Sequence, residues 1–510
     1  MKQIVVVLLI IFSNSSLLAQ DDALAKKIFN EGNYFQALNE YDLLLQTDST
    51  NKEWLHHLAV CYLNNNGDKS RAVPLLEKLL LEVSPKPVIL YLMGRAYHYD
   101  YNFTSAIEYF EMYIRSSSNN KDLINSCNEH IEYCINAKEL MKYPVDVSFE
   151  NLGKNINSSF DDYYPFVNED ESYIQFNSKR NEFSIEETSG QFKSNVYISN
   201  VSLGKYQKAK LLSKKVNSEA EVEEIVGMNS TGSQSIIYKE DFMLGGELFL
   251  ADFNQKSITD IKRLGQTINS KHAEIAACIS DDNQKLFFAS DRPGGYGGVD
   301  LYLCQRLPNG KWSEPNNLGP YVNTNMDEDF PSISADGKTL YFSSKGHSSM
   351  GGYDIFKAKW DVKKNKFSFI QNMGYPINTP EDNLNFRLAS DDRFAYVSAV
   401  RKEGFGGLDI YRIKFNSVEP KYSVIKGLVS TDKITDSRVD ISITDADTYE
   451  IYGEYTPNDI TNRYIIILPP GKYFIDIDAE GFNSISEEIE IFDKTSFKPE
   501  INKNIRLISK

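Results

Sequence analysis

Cysteine is scarce in this chain. Five occur in 510 residues, Cys61, Cys127, Cys134, Cys278 and Cys304, and a set that is odd and sparse excludes a disulfide scaffold. Cys127 and Cys134 stand seven apart on a helical stretch, about 10 Å along the axis and too far to bond each other. Cys278 and Cys304 are the one pair inside a single repeat, and whether they bond is open from sequence. Basic charge is short as well. With 55 Lys and Arg against 71 Asp and Glu the net charge is -16, which excludes a nucleic-acid binder that must neutralise phosphates. The acidity reads as solubility or as a preference for basic partners. After the N-terminus no apolar run reaches about 18 residues, so no later segment spans a bilayer as a helix. The six histidines form no His-Glu-x-x-His pattern, and no base and nucleophile are set together by spacing.

The one apolar run, Ile4 to Phe12, follows Lys2 and precedes Ser15-Ser-Leu-Leu-Ala19. It reads as a secretion signal over residues 1–19, cut before Gln20, with no cysteine nearby for lipid attachment.

What the chain has in quantity is repetition. One phrase starts at Asn157, Asn217, Asn269, Asn323 and Asn378, at intervals of 52 to 60 residues. Its fullest form runs Val322-Asn-Thr, an acidic run, Phe330-Pro-Ser-Ile-Ser, the turn Ala335-Asp-Gly-Lys, Thr339-Leu-Tyr-Phe-Ser-Ser, then Gly351-Gly-Tyr-Asp-Ile-Phe. A period of that length, read as four short strands, predicts a β-propeller over residues 144–417. The last repeat stops after Ile410-Tyr-Arg-Ile-Lys414, whereas Val147-Ser-Phe-Glu-Asn-Leu-Gly153 carries an outer-strand phrase with no blade of its own. The two predict a ring of five blades closed by the N-terminal strand.

Two positions recur within the repeats. Asp162, Glu274 and Glu328, with Asn383 in the fifth and Glu221 or Glu224 in the second, precede the inner strands. They are candidates for a ring at the channel mouth that docks a basic group or cation, or else strand-start caps. The pairs Gly297-Gly298, Gly351-Gly352 and Gly406-Gly407 precede Asp300, Asp354 and Asp409. The glycines suggest positive φ in a tight loop and the aspartates its caps, since one carboxylate per repeat is no calcium loop. Gly346-His-Ser-Ser-Met-Gly351 is one residue too long for a nucleophile elbow and lies between strands.

Upstream, residues 20–143 show helical spacing in three pairs. Gly32-Asn-Tyr-Phe-Gln-Ala37, with Tyr41, and Gly94-Arg-Ala-Tyr97, with Ala106, Phe110 and Tyr113, give the small-aromatic alternation of tetratricopeptide (TPR) repeats. The middle pair runs Ala59 to Leu79, and a last helix Asp122 to Met141. Cys127, His130 and Cys134 share one face of that helix, but with no fourth ligand in view they read as packing, not metal. Residues 418–510 alternate over seven or so short strands around the Leu468-Pro-Pro-Gly-Lys-Tyr473 hairpin, which predicts a β-sandwich.

The order of signal, TPR repeats, WD40- or TolB-like propeller and sandwich, with the string Phe288-Ala-Ser-Asp-Arg292 to Tyr302 and the Leu468 to Tyr473 hairpin, resembles the PorE-type outer-membrane-associated proteins of type IX secretion and gliding. The resemblance implies a carboxypeptidase-regulatory-like sandwich and a non-enzymatic scaffold in the periplasm or at the cell surface. Such a scaffold would take no cofactor, metal or nucleic acid, and would bind protein partners through the helical groove and a propeller face. The family's OmpA-like peptidoglycan domain and lipobox cysteine have no counterpart in these residues, so retention through a protein partner is the expectation. A propeller enzyme on glycan or peptide and a secreted adhesin are the alternatives.

Overall fold

The computed structural model describes residues 21–81, 86–116, 120–180, 192–218, 222–241, 245–254, 257–361, 366–389, 393–416, 422–433, 437–458, 461–492, 498 and 500–510. The expected signal segment, 1–19, lies outside them. The described chain forms two compact units.

The first unit opens with helices: α1 (21–30), α2 (Tyr34–Thr47), α3 (Lys52–Leu63), α4 (Val73–Leu80), α5 (Pro87–Tyr99), α6 (Phe103–Arg115) and α7 (Lys121–Leu140). Asparagines start four of them. Asn33, Asn51, Asn102 and Asn120 each accept a hydrogen bond from an N–H of the first turn, which relieves donors that the helix leaves unpaired. Each of α2 to α6 packs on the next. The small residues let them approach: a Cβ on Gly94 would stand 2.5 Å from the Phe110 ring. The chain's residues at Ala37, Ala59, Ala72 and Ala106 are fully buried for the same reason.

Five antiparallel sheets follow. The first holds β2 (Asp162–Val167), β3 (Tyr173–Ser178), β4 (Asn195–Ser202) and the short β5 (Lys205–Tyr206) and β6 (Lys210–Leu211). The second holds β7 (Val222–Met228), β8 (Gln234–Asp241), β9 (Gly245–Phe253) and β10 (Ile258–Arg263). The third is β11 (Glu274–Ile279), β12 (Lys285–Ser290), β13 (Asp300–Gln305) and β14 (Asn316–Asn317). The fourth is β15 (Glu328–Ile333), β16 (Thr339–Ser344), β17 (Asp354–Asp361) and β18 (Lys366–Asn372). The fifth is β19 (Leu384–Leu388), β20 (Phe394–Ala399), β21 (Asp409–Phe415) and, outermost, β1 (Val147–Asn151). The innermost strands touch in a cycle, β2 to β7, β11, β15, β19 and back to β2. That is the architecture of a propeller. β1 pairs antiparallel with β21 from Val147 opposite Phe415 to Asn151 opposite Tyr411, so the ring is closed by strands from its two ends and that sheet keeps no open edge there.

The recurring asparagine has one job in all five repeats. Its amide is clamped on the third strand of the preceding sheet, accepting from the N–H and donating to the C=O of a single residue. Asn157 holds Ile410, Asn217 holds Val196, Asn269 holds Leu248, Asn323 holds Leu301 and Asn378 holds Ile355, all at 2.7–3.0 Å. A side-chain amide is a peptide group on a short arm, so it satisfies both polar groups of a strand residue as a neighbouring strand would.

The second unit is residues 416–510 with two short stretches, 170–173 and 200–207. It holds two sheets, β24–β23–β26–β27 and β25–β22 with β28 and β29 both on β22. The strands are β22 (Ser423–Thr431), β23 (Val439–Asp445), β24 (Ile451–Tyr455), β25 (Arg463–Leu468), β26 (Gly471–Ala479), β27 (Ile485–Ile491), β28 (Glu500–Asn502) and β29 (Ile505–Leu507). Alternate residues from both sheets, Ile425, Ile466 and Leu507 from one and Ile441, Ile475 and Ile477 from the other, share one apolar core.

Candidate functional site

The inner-strand acids turn inward. Asp162, Glu274 and Glu328 are 0% exposed and Asn383 is 2% exposed, so they do not form a solvated ring at a channel mouth. Each closes the loop that leads into its own strand. Ser158 and Ser270, through N–H and hydroxyl, donate to Asp162 and Glu274; Thr324 does the same to Glu328, and the Thr379 N–H donates to Asn383. In the second sheet the equivalent is Glu223, accepting from the Ser218 N–H at 3.0 Å. Glu221 lies outside the described residues, and Glu224 is the next residue along. Two of these acids gain a cation, Asp162 from Arg180 and Glu274 from Arg292. Glu328 has hydroxyls and a backbone N–H instead, and burial lifts its carboxyl to about 7 against those bonds.

The glycine pairs also differ from expectation. None of the six residues has a positive φ. What they need is space. A Cβ on Gly297 would stand 1.8 Å from the Met326 carbonyl oxygen, and one on Gly351 2.2 Å from that of Pro380. The second glycine of each pair lies under a carboxylate of the next repeat: Gly298 under Asp327, Gly352 under Asp382, Gly407 under Asp161. Those carboxylates accept the N–H of Val299, Tyr353 and Leu408, so the motif clasps adjacent sheets. Asp300, Asp354 and Asp409 cap the glycine loops as expected, accepting from Tyr296, Met350 and Phe405 N–H.

Side chains reach across the middle of the ring. Tyr164 and Phe330, from the first and fourth sheets, bring their rings to 4.5 Å across it. Arg387, buried, crosses from the fifth sheet to the Ser332 hydroxyl (3.0 Å) and the Met228 carbonyl (2.5 Å) and stacks over Phe166. Beside the tyrosine stand the residues that follow the caps, among them Glu224 and Asp329. The Tyr163 hydroxyl donates to Glu224. Asp329 is 2% exposed, its Oδ1 accepts from the Phe330 N–H at 2.7 Å, and burial raises its carboxyl to about 7. Glu224 and Asp329 come from sheets that are not neighbours, yet both bear on the Tyr164 hydroxyl, whose pKa is raised first by burial and then by those two charges. The rings of Tyr163, which holds Glu224, and Phe330, which follows Asp329, both meet that of Tyr164.

The helices grip the loops beside the glycine pairs. Tyr133 and Asn136 of α7 donate to the carbonyls of Lys345 and Ser349, and His98 of α5 bonds that of Met350 at 2.8 Å. Met350 is fully buried in a cluster with Phe103, Phe110, Tyr113, Cys127 and Cys134. Lys69 pairs with Glu381, and Asn66 donates to Asp161. The segment from Gly346 to Gly351 is therefore the anchor of the helices, and part of the helical surface expected to grip a partner holds the ring instead. His130 stacks on Phe110 in this cluster, and no group of three or more His, Cys, Asp or Glu among the described residues is placed to hold a metal ion. All five cysteines, Cys278 and Cys304 included, are free and buried.

No known protein family matches the chain, and none of the curated proteins does. Solved structures similar to it include TolB from Acinetobacter baumannii (14% identity, 51% of this chain and 56% of that one, TM-score 0.32). Others are the xylan β-1,4-xylosidase of Bacillus halodurans (10%, 70% and 83%, TM-score 0.28) and the WD40 repeats of RRP9 (9%, 52% and 97%, TM-score 0.28). Scores this low carry no argument about activity. The propeller stands on its own sheet order.

Proposed function

We propose that the chain is a non-enzymatic exported scaffold, a protein-binding component of an outer-membrane-associated machine of the type IX secretion or gliding kind. In this reading α1 to α7 are three TPR pairs and a capping helix, the ring is a five-bladed propeller, and the second unit is a carboxypeptidase-regulatory-like sandwich. The observation that carries it is the use to which the ring puts its reactive groups. Acids at the inner-strand starts and in the glycine loops close loops and clasp sheets, and Met350 joins helices and ring into one compact body. A platform needs that rigidity and no chemistry. The test is to purify the chain from detergent-solubilised envelopes. Co-recovery of an envelope protein in stoichiometric amount is expected; recovery of the chain alone, free in periplasm or medium, overturns the reading.

One observation favours a glycan-cleaving propeller instead: Asp329, with a carboxyl raised to about 7, and Glu224 nearby resemble an acid and base pair. Against it, Glu224 is held by Tyr163, and the Tyr164 and Phe330 rings stand 4.5 Å apart, which leaves no room for a sugar ring between them. Turnover of xylan or arabinan oligosaccharides that Asp329→Asn abolishes would decide for the enzyme.

A further inference from the structure

Most acids in the ring have a structural answer. Asp162 and Glu274 have arginines, Asp327 has Lys345 at 2.9 Å, and Glu381 has Lys69. Asp329 stands apart. It is more than nine-tenths buried, its one side-chain hydrogen bond comes from the adjacent Phe330 N–H, and its Oδ2 has no partner among the described residues. The cation that bears on it, Lys345, is engaged by Asp327. A carboxylate this buried with one hydrogen bond and no cation of its own is costly, and nothing in the fold requires one here: Ile275 and Leu384 hold the same place, directly after the caps of the third and fifth sheets.

The surroundings suit a cation. Glu224 accepts from the Tyr163 hydroxyl and Asp329 from the Phe330 N–H, and the rings of Tyr163 and Phe330 both meet that of Tyr164. Tyr163, Tyr164, Phe330 and Tyr353 form a chain of rings with centroids 4.5–6.4 Å apart, and Lys345 already lies over Tyr353 at 4.6 Å. Aromatic faces beside carboxylates attract ammonium and guanidinium groups. A metal ion is the poorer fit, since no three His, Cys, Asp or Glu among the described residues are placed to hold one.

Resting on the scaffold reading, we propose that the acidic and aromatic centre of the ring, Glu224, Asp329, Tyr163, Tyr164 and Tyr353, is a docking site for one arginine or lysine side chain presented by a protein partner. The chain's net charge of -16 would steer such a partner in.

The experiment uses the full chain and fluorescein-labelled Gly-Ser peptides carrying a single arginine or, in its place, citrulline, followed by anisotropy at low salt. The arginine peptide should bind at least about tenfold more tightly than the citrulline peptide, the factor that one desolvated charge pair of about 1.4 kcal/mol supplies. Asp329→Asn should erase that difference with its thermal midpoint no lower than wild type, and Glu224→Gln should weaken binding on a separate fold. Because the cation favours ionised Asp329, affinity should rise from pH 6 to pH 8 in the wild type and stay flat in Asp329→Asn. Equal binding of the two peptides, or an unchanged Asp329→Asn, overturns the site. If free arginine amide competes as strongly as the peptide, the occupant is a small cation and the partner's side chain is excluded. Failure to co-purify an envelope protein would sink the scaffold while leaving the peptide result standing.

Discussion

Single side chains set this ring by replacing backbone. Asn323 satisfies both polar groups of Leu301 in a fully buried place, so Asn323→Ala leaves two buried groups unpaired. It should cost roughly 2–5 kcal/mol in urea unfolding, and Asn323→Asp, which keeps only the acceptor, should do little better. Gly297→Ala drives a methyl into the Met326 carbonyl and should cost about 1–3 kcal/mol or more. Both recurrences are plain in the sequence, but their reasons are not. The glycine pairs look like sites of positive φ, and only the chain of the next repeat, folded against them, shows that volume is what matters. The acids Asp162, Glu274 and Glu328 recur just as plainly. Their burial is illegible because it depends on a loop folding back over them, and Glu223 is hidden by acidic neighbours in a repeat that has lost its phrase.

At the scale of elements, the joint between helices and ring decides how the first unit responds to acid and to truncation. His98 is buried, donates from Nε2 to the Met350 carbonyl, and leaves Nδ1 without a partner among the described residues. Burial lowers its pKa from 6.5 to about 4, and that of His130 falls in the same direction. A depressed base is neutral when folded and charged when unfolded. Its contribution is therefore whole above pH 6.5 and is lost as pH falls toward 4, by up to about 3 kcal/mol for His98. Thermal melts should show this loss, and His98→Gln, which can still bond the Met350 carbonyl, should blunt it. Met350→Ala should cost roughly 2–5 kcal/mol and expose the 345–351 loop to limited proteolysis before the rest of the ring. The helices themselves are legible, since Gly94, Ala106 and Phe110 advertise their packing. Their joint to Met350 is not, because it links residues some 250 positions apart with no shared pattern.

For the whole molecule, closure is the feature most open to sequence reading. The phrase at Val147 to Gly153 stands without a blade and the last repeat stops short, so the two halves identify each other. A chain beginning at Pro144 keeps β1, whereas one beginning at Leu152 leaves β21 with an open edge. The first should melt cooperatively and the second should unfold at lower temperature and aggregate, as read by circular dichroism and light scattering. What no repeat announces is the centre of the ring, because Tyr164, Glu224 and Asp329 are residues in which the five copies differ. The differences that blur a repeat are also where a particular ring departs from the generic one.

The ladder that seals the ring has a mechanical reading. Val147, where β1 begins, sits opposite Phe415, where β21 ends. Tension between the N-terminal helices and the C-terminal unit would enter both strands at the same end and unzip their rungs one by one, the weakest way to load a sheet. The Met350 knob lies upstream of that path. Any pull on the helices is first borne by their seat on the fourth blade, so the anchor acts as strain relief for the seam.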